Sequence, residues 1–410
     1  MRVFSISKAL ALEAPAWLQH RSPSVGTANP TAGLDIELVT TRAAFDALEA
    51  DWNQLASRNT ATAGLFLGFN WNWHWCNHYL DKDGSRLAIV VGRRDGRLVM
   101  LLPLLQKRAA GLRVLCFMGA PVSQYGDVLI EAGARDPEAW LRQGWVHVIG
   151  QLRPDIVVLR KVRDDSAAAI LMRALGASAH DRQRAPFIDL RGATDFDVFE
   201  QRYSGKDRKN RRRKRKRLEE TGVLGFRKVA GAADAGASVA RATELKRSWL
   251  TGRQLVSVAL AEHKFDAFFR NVAACTERPA GCDIYELTLD GCAIATKIAV
   301  TSGTHRALHF TCYDKAAEKH SPGSLICENM LQGAIADGIA TFDFLAPAAP
   351  YKFEWADSTI GIADYSVPVS VAGRLYHDLY LRALRPWLQR LAKNGPAPIR
   401  RLISAAVKSA

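Results

Sequence analysis

The chain runs to 410 residues, with 56 Lys and Arg against 41 Asp and Glu, and carries a formal charge of +15 at neutral pH. Its 48% hydrophobic and 24% charged content is that of a globular protein with room for two cores, which excludes a disordered or fibrous chain. No apolar run is long enough for a membrane-spanning helix. The seven Cys form no CxxC pair, which speaks against a disulfide scaffold or a zinc site and for reduced thiols in a cytoplasm. The first twenty residues, with Glu13 and Pro15 breaking their apolar middle, make a poor secretory signal.

Residues 1–34 read as a flexible tail, punctuated by Pro23, Gly26, Pro30 and Gly33. A strand is expected at 35–40, then a helix opened by Thr41, with Phe45, Leu48, Trp52 and Leu55 on one face. A second helix carries Trp71, Trp73 and Trp75, whose angular spread around the axis favours core packing over a sugar-stacking groove. Two apolar runs about Asp95-Gly96 predict a hairpin, because this pair accepts the positive φ values of a two-residue turn. Strands are expected at LRVLCFMG, DVLIE and DIVVLR, with helices at 136–150 and 165–176. A first α/β module thus covers 35–190.

A second module is expected over 191–372 with the same grammar. A helix opens at Thr194, and another after Ser204, ending at Gly222 as a left-handed cap. A strand at LGFRKVA, helices at 232–250 and 261–277, and a hairpin about Asp290-Gly291 follow. Strand RALHFTCYD leads to a helix opened by Ser321-Pro322-Gly323, then strand ATFDFLA and a last strand at 362–371. An amphipathic helix at 373–393, with Leu375, Leu379, Leu384, Trp387 and Leu391, belongs to a C-terminal segment 373–410. Two halves that each place a DG hairpin after helices suggest a duplicated α/β (α+β) module, each a mixed twisted sheet flanked by helices.

Two features carry charge chemistry. Lys206–Arg217 holds ten Lys or Arg against one Asp, which is +9 of the total +15. A helix over 205–221 would span about 25 Å with cations all round its axis until Leu218, and like charges one turn apart destabilise it unless an anion or acidic neighbours compensate. The run fits a solvated face, an anionic lipid surface, a nucleic-acid arm, or a site for phosphates; no helix-turn-helix or zinc spacing accompanies it. The second feature is the start of the 321–323 helix, whose unpaired N–H groups suit a phosphate, with Lys315, Lys319 and His320 just before it. An ordinary capped helix is the plainer reading. His74 and His78 stand four apart, but the Glu of an HExxH pair is replaced, and no metal is expected.

The segments SGKDRKNRRRKRKRLEETG, LTLDGCAIATKIAV, HFTCYDKAAEKHSPGSLICENML and GIATFDFLAPAAPYKFEWA, in this order, resemble the CelD/BcsL-type acyltransferases of the GNAT superfamily, relatives of the FemAB-like transferases. The resemblance is best over 200–372 and looser over 35–185, at WNWHW, LLPLL and FMGAPVSQYGD. It implies tandem GNAT-like modules, acetyl-CoA or another acyl-CoA as donor, and transfer to an amine or hydroxyl, in particular of a polysaccharide or envelope precursor. It implies a pyrophosphate site at Lys319, Ser321, Gly323 and Ser324. Catalytic candidates are Tyr313 before that loop, Asp343 at the end of the next strand, Tyr351, and His309, which a regular strand would place opposite Phe310. Lys352, Asp127, Arg211 and Arg212 are candidates for substrate binding. Each has a structural alternative: a loop cap for Asp343 and Asp127, packing for Tyr351, a satisfied strand histidine for His309, a salt bridge for Lys352. The competing functions are FemAB-like aminoacyl-tRNA-dependent transfer, which the basic helix favours, and a non-catalytic subunit of a polysaccharide synthesis complex. Peripheral membrane contact stays open.

Overall fold

The computed structural model describes residues 34–58, 64–80, 84–252, 257, 260 and 263–388. Residues 1–33 of the expected tail 1–34 and the end of the C-terminal segment, with Leu391, lie outside the described residues. Residues 34–410 form one unit.

The first half contributes β1 (Asp35–Val39), β2 (Arg86–Leu87), β3 (Ile89–Arg94), β4 (Arg97–Leu102), β5 (Leu104–Ala109), β6 (Leu112–Phe117), β7 (Leu129–Ile130), β8 (Ile156–Arg163) and β9 (Ala179–Asp189). The second half contributes β10 (Leu224–Lys228), β11 (Cys282–Leu289), β12 (Cys292–Ser302), β13 (His305–Tyr313), β14 (Thr341–Asp343) and β15 (Ser358–Pro368). Both DG pairs form the expected turns: Asp95 and Gly96 have φ of 51° and 74°, Asp290 and Gly291 of 50° and 79°. The first half has helices at Arg42–Ala47, Glu49–Arg58, Phe69–Tyr79, Pro137–Leu152 and Ala167–Ala174. The second has them at Gly205–Glu219, Ala232–Gly252, His263–Ala274 and Pro322–Ala336.

Each half repeats one plan. A hairpin and a further antiparallel strand are followed by a helix and then a parallel strand. β6 runs parallel to β8 over three residues, and β13 parallel to β14 over three. The last strand of each half is exchanged. β9 lies between β14 and β15, and β15 lies between β9 and β8, so an 11-stranded sheet runs β10-β11-β12-β13-β14-β9-β15-β8-β6-β5-β2. A separate sheet runs β1-β3-β4-β7. One core cluster joins the halves, packing Trp71 edge-on to Phe268 at 5.0 Å between centroids. Trp71 and Trp75 are buried there, each indole N–H satisfied, by Ser123 Oγ and the Ala120 carbonyl. His74 bonds the Arg278 carbonyl and His78 bonds Asn271.

Several local expectations are corrected. Asp195, not Thr194, caps the short helix Phe196–Phe199, accepting from the Val198 N–H. The basic helix ends at Glu219, and Gly222 is not left-handed. A Cβ at 222 would press on the Asp290 carboxylate, which accepts from the Val223 N–H at 2.8 Å, so a larger residue there would have to displace that carboxylate. DVLIE shrinks to Leu129–Ile130, the last strand begins at Ser358, and β9 was not foreseen. His309 and Phe310 lie on the same side of the sheet: both rings contact Phe265. The reason is a β-bulge. Ile298 pairs with Phe310 and Ala299 with Leu308, so His309 is the extra residue.

Candidate active site

β13 and β14 pair only from His305–Ala307 to Thr341–Asp343, and beyond them the strands part. The gap opens into a cavity of about 560 Å³, joined to a smaller one of about 260 Å³ through Lys246, Lys297, Thr311, Phe344 and Tyr351, which line both. Strand ends of parallel pairs are where α/β sheets gather ligands.

The larger cavity meets the start of the Pro322–Ala336 helix. Ser321 is left-handed, with φ of 54°, and its side chain makes no capping bond. Its carbonyl takes the N–H groups of Ser324 and Leu325 at 2.9 and 3.4 Å. Pro322 has no N–H, so Gly323 supplies the first free helical donor. A Cβ on Gly323 would find Tyr313 at an ordinary 3.8 Å, so glycine is not forced there by packing. Ser321, Gly323, Ser324 and Tyr313 all line this cavity, as does Lys214 of the basic helix. Lys319 does not; it sits exposed on the 3-10 turn Lys315–His320. The Tyr313 hydroxyl donates to Glu318 at 3.1 Å.

The smaller cavity holds His309, Lys352, Gln124 and Tyr351. The bulge gives His309 no ladder partner on β12, and β14 has already ended. Its Nε2–H donates to the Val122 carbonyl, and its Nδ1 is buried without a hydrogen bond among the described residues. Burial pushes this imidazole down to about 4, the Val122 bond opposing and the Lys161 charge adding, so the ring is neutral at pH 7. Lys352 donates to the carbonyls of Leu345 and Pro347, at 2.7 and 2.8 Å, and so ties down the loop after β14. Burial lowers its amine to about 8 against the pull of Asp343.

Lys297 was not foreseen. It sits at the centre of the apolar β12 run, 2% exposed, and faces both cavities. Its ammonium reaches the Thr311 hydroxyl at 3.5 Å and makes no ion pair among the described residues. A lysine in the middle of AIATKIAV is itself the signal a sequence offers, because such a charge is costly to bury without purpose.

Asp343 is a joint between the halves. It is fully buried and accepts from the Tyr125 hydroxyl at 2.8 Å, Arg163 at 3.0 Å, the Leu345 N–H at 2.7 Å and His305 at 3.3 Å. Burial raises its carboxyl, but the His305 bond and the Arg163 charge outweigh that and hold it below the usual range. It lines neither cavity. Asp127 is buried under the Ala167–Ala174 helix, accepting the Ala168 N–H at 2.8 Å, away from both cavities. Arg211 is buried, its guanidinium 4.8 Å from the Tyr203 ring centroid and 4.4 Å from that of Trp355. Arg212 binds Glu200 at 2.7 Å. The cations of the basic helix therefore do not simply ring its axis: Arg211, Arg215 and Leu218 form an inner stripe, because planar guanidinium stacks where an aliphatic side chain would.

Residues 205–353 match the family described as Acetyltransferase (GNAT) domain. No curated protein matches the sequence. Among solved structures the chain is similar to FemX, with a TM-score of 0.57 at 10% identity over 83% of this chain and 99% of that one. It is also similar to the C-terminal DUF2156 domain of a candidate lysylphosphatidylglycerol synthetase from Agrobacterium fabrum, with a TM-score of 0.51 at 11% identity over 86% of this chain and 98% of that one. At such identities the likeness is one of fold. The protein has a mixed α/β fold of two GNAT-like halves in tandem, and the acetyltransferase-type match falls on the half that carries the cleft.

Proposed function

We propose that the protein transfers an acyl group, acetyl in the first instance, from an acyl-CoA to an amine or hydroxyl. The observation that carries this reading is the single cleft in which the Gly323 helix start and Lys214 lie at one end and the bulged His309 with Lys297 at the other. A helix N-terminus and a lysine suit a pyrophosphate. The thioester end would lie along Thr311 toward the bulge. There the His309 peptide at the bulge and the Lys297 ammonium would stabilise negative charge developing on the thioester oxygen. Tyr313, which lines the larger cavity, would supply the proton needed by the departing thiolate. Tyr351, exposed at the rim of both cavities, meets the acceptor. Asp343, Lys352 and Arg211 hold the walls.

The carbohydrate or envelope-precursor acceptor implied by the resemblance to CelD/BcsL-type enzymes belongs to the same proposal, as does a cytoplasmic site of action. Calorimetric titration with acetyl-CoA tests the donor. Gly323→Asp fits sterically and places a carboxylate where the helix dipole welcomes it, so the fold is kept while phosphate is repelled. Binding by the parent and a loss of about tenfold or more in the variant is expected; equal affinities would sink the phosphate assignment.

A second reading, FemAB-like transfer from an aminoacyl-tRNA, draws on six exposed cations of the basic helix: Lys206, Lys209, Arg212, Arg213, Lys216 and Arg217. Filter binding of charged tRNA at two salt concentrations separates the readings, since polyanion contacts weaken steeply with salt.

A further inference from the structure

The helical segment that follows β15, residues 371–388, shows two contrasting faces. Gly373, His377 and Leu381, four apart, are buried, with Leu381 packed on Val114, Ile156 and Val158 of β6 and β8. Gly373 has to be glycine, because a Cβ would collide with the Asp155 carbonyl. The same Asp155 anchors the helix start: its carbonyl takes the Val369 and Ser370 N–H groups, and its carboxylate takes the Ser370 hydroxyl at 2.9 Å. Arg385 pairs with Asp181 near the other end. The segment is therefore docked, not frayed.

Its opposite face is apolar and uncovered. Val371, Leu375, Leu379, Leu384 and Trp387 are between 45% and 66% exposed. Residues 376–384 are π-helical, and that wider turn brings Leu375, Leu379 and Leu384, spaced four and five apart, onto one side. Exposed apolar side chains scattered singly are ordinary, but a contiguous stripe on one docked helix marks a contact surface. In sequence, 371–410 holds eight Lys and Arg against a single Asp; within the described 371–388, Arg382 lies 3.8 Å from Asp378 and Arg385 pairs with Asp181.

We propose that this face lies on an anionic lipid bilayer, with the stripe at the acyl boundary and the flanking cations at the headgroups. An in-plane amphipathic helix with basic flanks has this composition, and an exposed Trp suits the interface. A second copy of the chain fits less well, because a two-fold contact through the stripe would bring like cations together. No helix among the described residues is long and apolar enough to cross a membrane, so the contact is peripheral.

The test is sedimentation of the full-length protein with phosphatidylcholine vesicles and with vesicles containing 30 mol% phosphatidylglycerol (about a third of the lipid anionic). The comparison is the triple variant Leu375→Ser, Leu379→Ser, Trp387→Ser. All three positions are exposed, so circular dichroism and acetyl-CoA binding should match the parent. The expected result is binding to the anionic vesicles, weaker by about tenfold or more without phosphatidylglycerol, and lost in the triple variant. Binding that survives in the triple variant would place the contact elsewhere, on the basic helix included, and overturn the proposal. So would no vesicle binding at all, or a dimer in light scattering that the triple variant splits, which would assign the stripe to a second copy.

Discussion

Two buried ionisable side chains behave oppositely. Lys297 is buried, lines both cavities and makes no ion pair among the described residues, which is why the proposed reaction draws on it. Lys297→Met keeps the aliphatic volume and removes the charge. A fall of about tenfold or more in kcat/KM for acetyl transfer is expected, with thermal stability kept or raised because a desolvated charge is gone. Unchanged kinetics would remove Lys297 from the site. Asp127 lines neither cavity. One oxygen caps the Ala167–Ala174 helix and the other has no partner among the described residues, and burial raises its carboxyl to about 7. Its folded-state pKa lies above the unfolded value, so between about pH 4 and 7 the folded state binds the extra proton. Stability then falls as pH rises through that window and levels off above it. Asp127→Asn should flatten this slope and gain about 2–4 kcal/mol at pH 8. Urea unfolding of both proteins at pH 5 and pH 8 measures it; parallel pH profiles would show that Asp127 does not titrate there.

The basic helix divides its cations by task. Arg211 is the inner anchor, stacked between Tyr203 and Trp355 and 3.7 Å from Glu200. Arg211→Ala should cost about 2–4 kcal/mol of stability by removing a desolvated guanidinium from two rings and a buried carboxylate. Lys214 reaches the donor cavity, and Lys214→Glu should weaken acetyl-CoA binding several-fold while leaving the melting temperature nearly unchanged. If instead Arg211→Ala melts like the parent, or both variants lose stability alike, this division fails. The segment's length, start and end were close to legible: Ser204 caps it through the Asp207 N–H as its sequence suggested. Which arginines turn inward was not, because ten near-identical side chains carry no pattern until Trp355, over a hundred residues away, supplies the surface.

At the scale of the molecule the exchanged strands dominate. β14 is bounded by β9, and β15 by β9 and β8, so neither half completes its sheet alone. The Tyr125–Asp343–Arg163 knot adds a buried, charged seam across the same boundary. A chain of residues 191–410 loses β9 and β8 together, strands the β14 edge, and leaves Asp343 without Arg163. It should be unfolded or insoluble by circular dichroism, whereas the full protein should melt in one transition. A soluble, cooperatively folded 191–410 would contradict this. The duplication was readable from two DG hairpins set after helices. The exchange was not: β9 reads AHDRQRAPFID, polar at its start and interrupted by Pro186, and gives no periodic signal of a strand that sits between two others.

The sequence by itself determined the pieces whose signals are local. Those are the tight turns that require positive φ, the Trp-bearing helix, the Ser204 cap, and the Ser321-Pro322-Gly323 helix start that ends up on the cleft. Backbone sterics and capping act over a few residues, so they survive without tertiary context. Tertiary structure decided what each buried polar side chain is for. One bulged residue moved Phe310 to the side of His309, reversing the facing that period-two alternation implies. Three donors from distant segments, with the neighbouring Leu345 N–H, turned Asp343 from a candidate base into a satisfied joint, and two carbonyls of its own loop took Lys352. Those outcomes depend on which groups meet at a distance, as does the placing of Lys297, buried in an apolar strand, on the lining of both cavities.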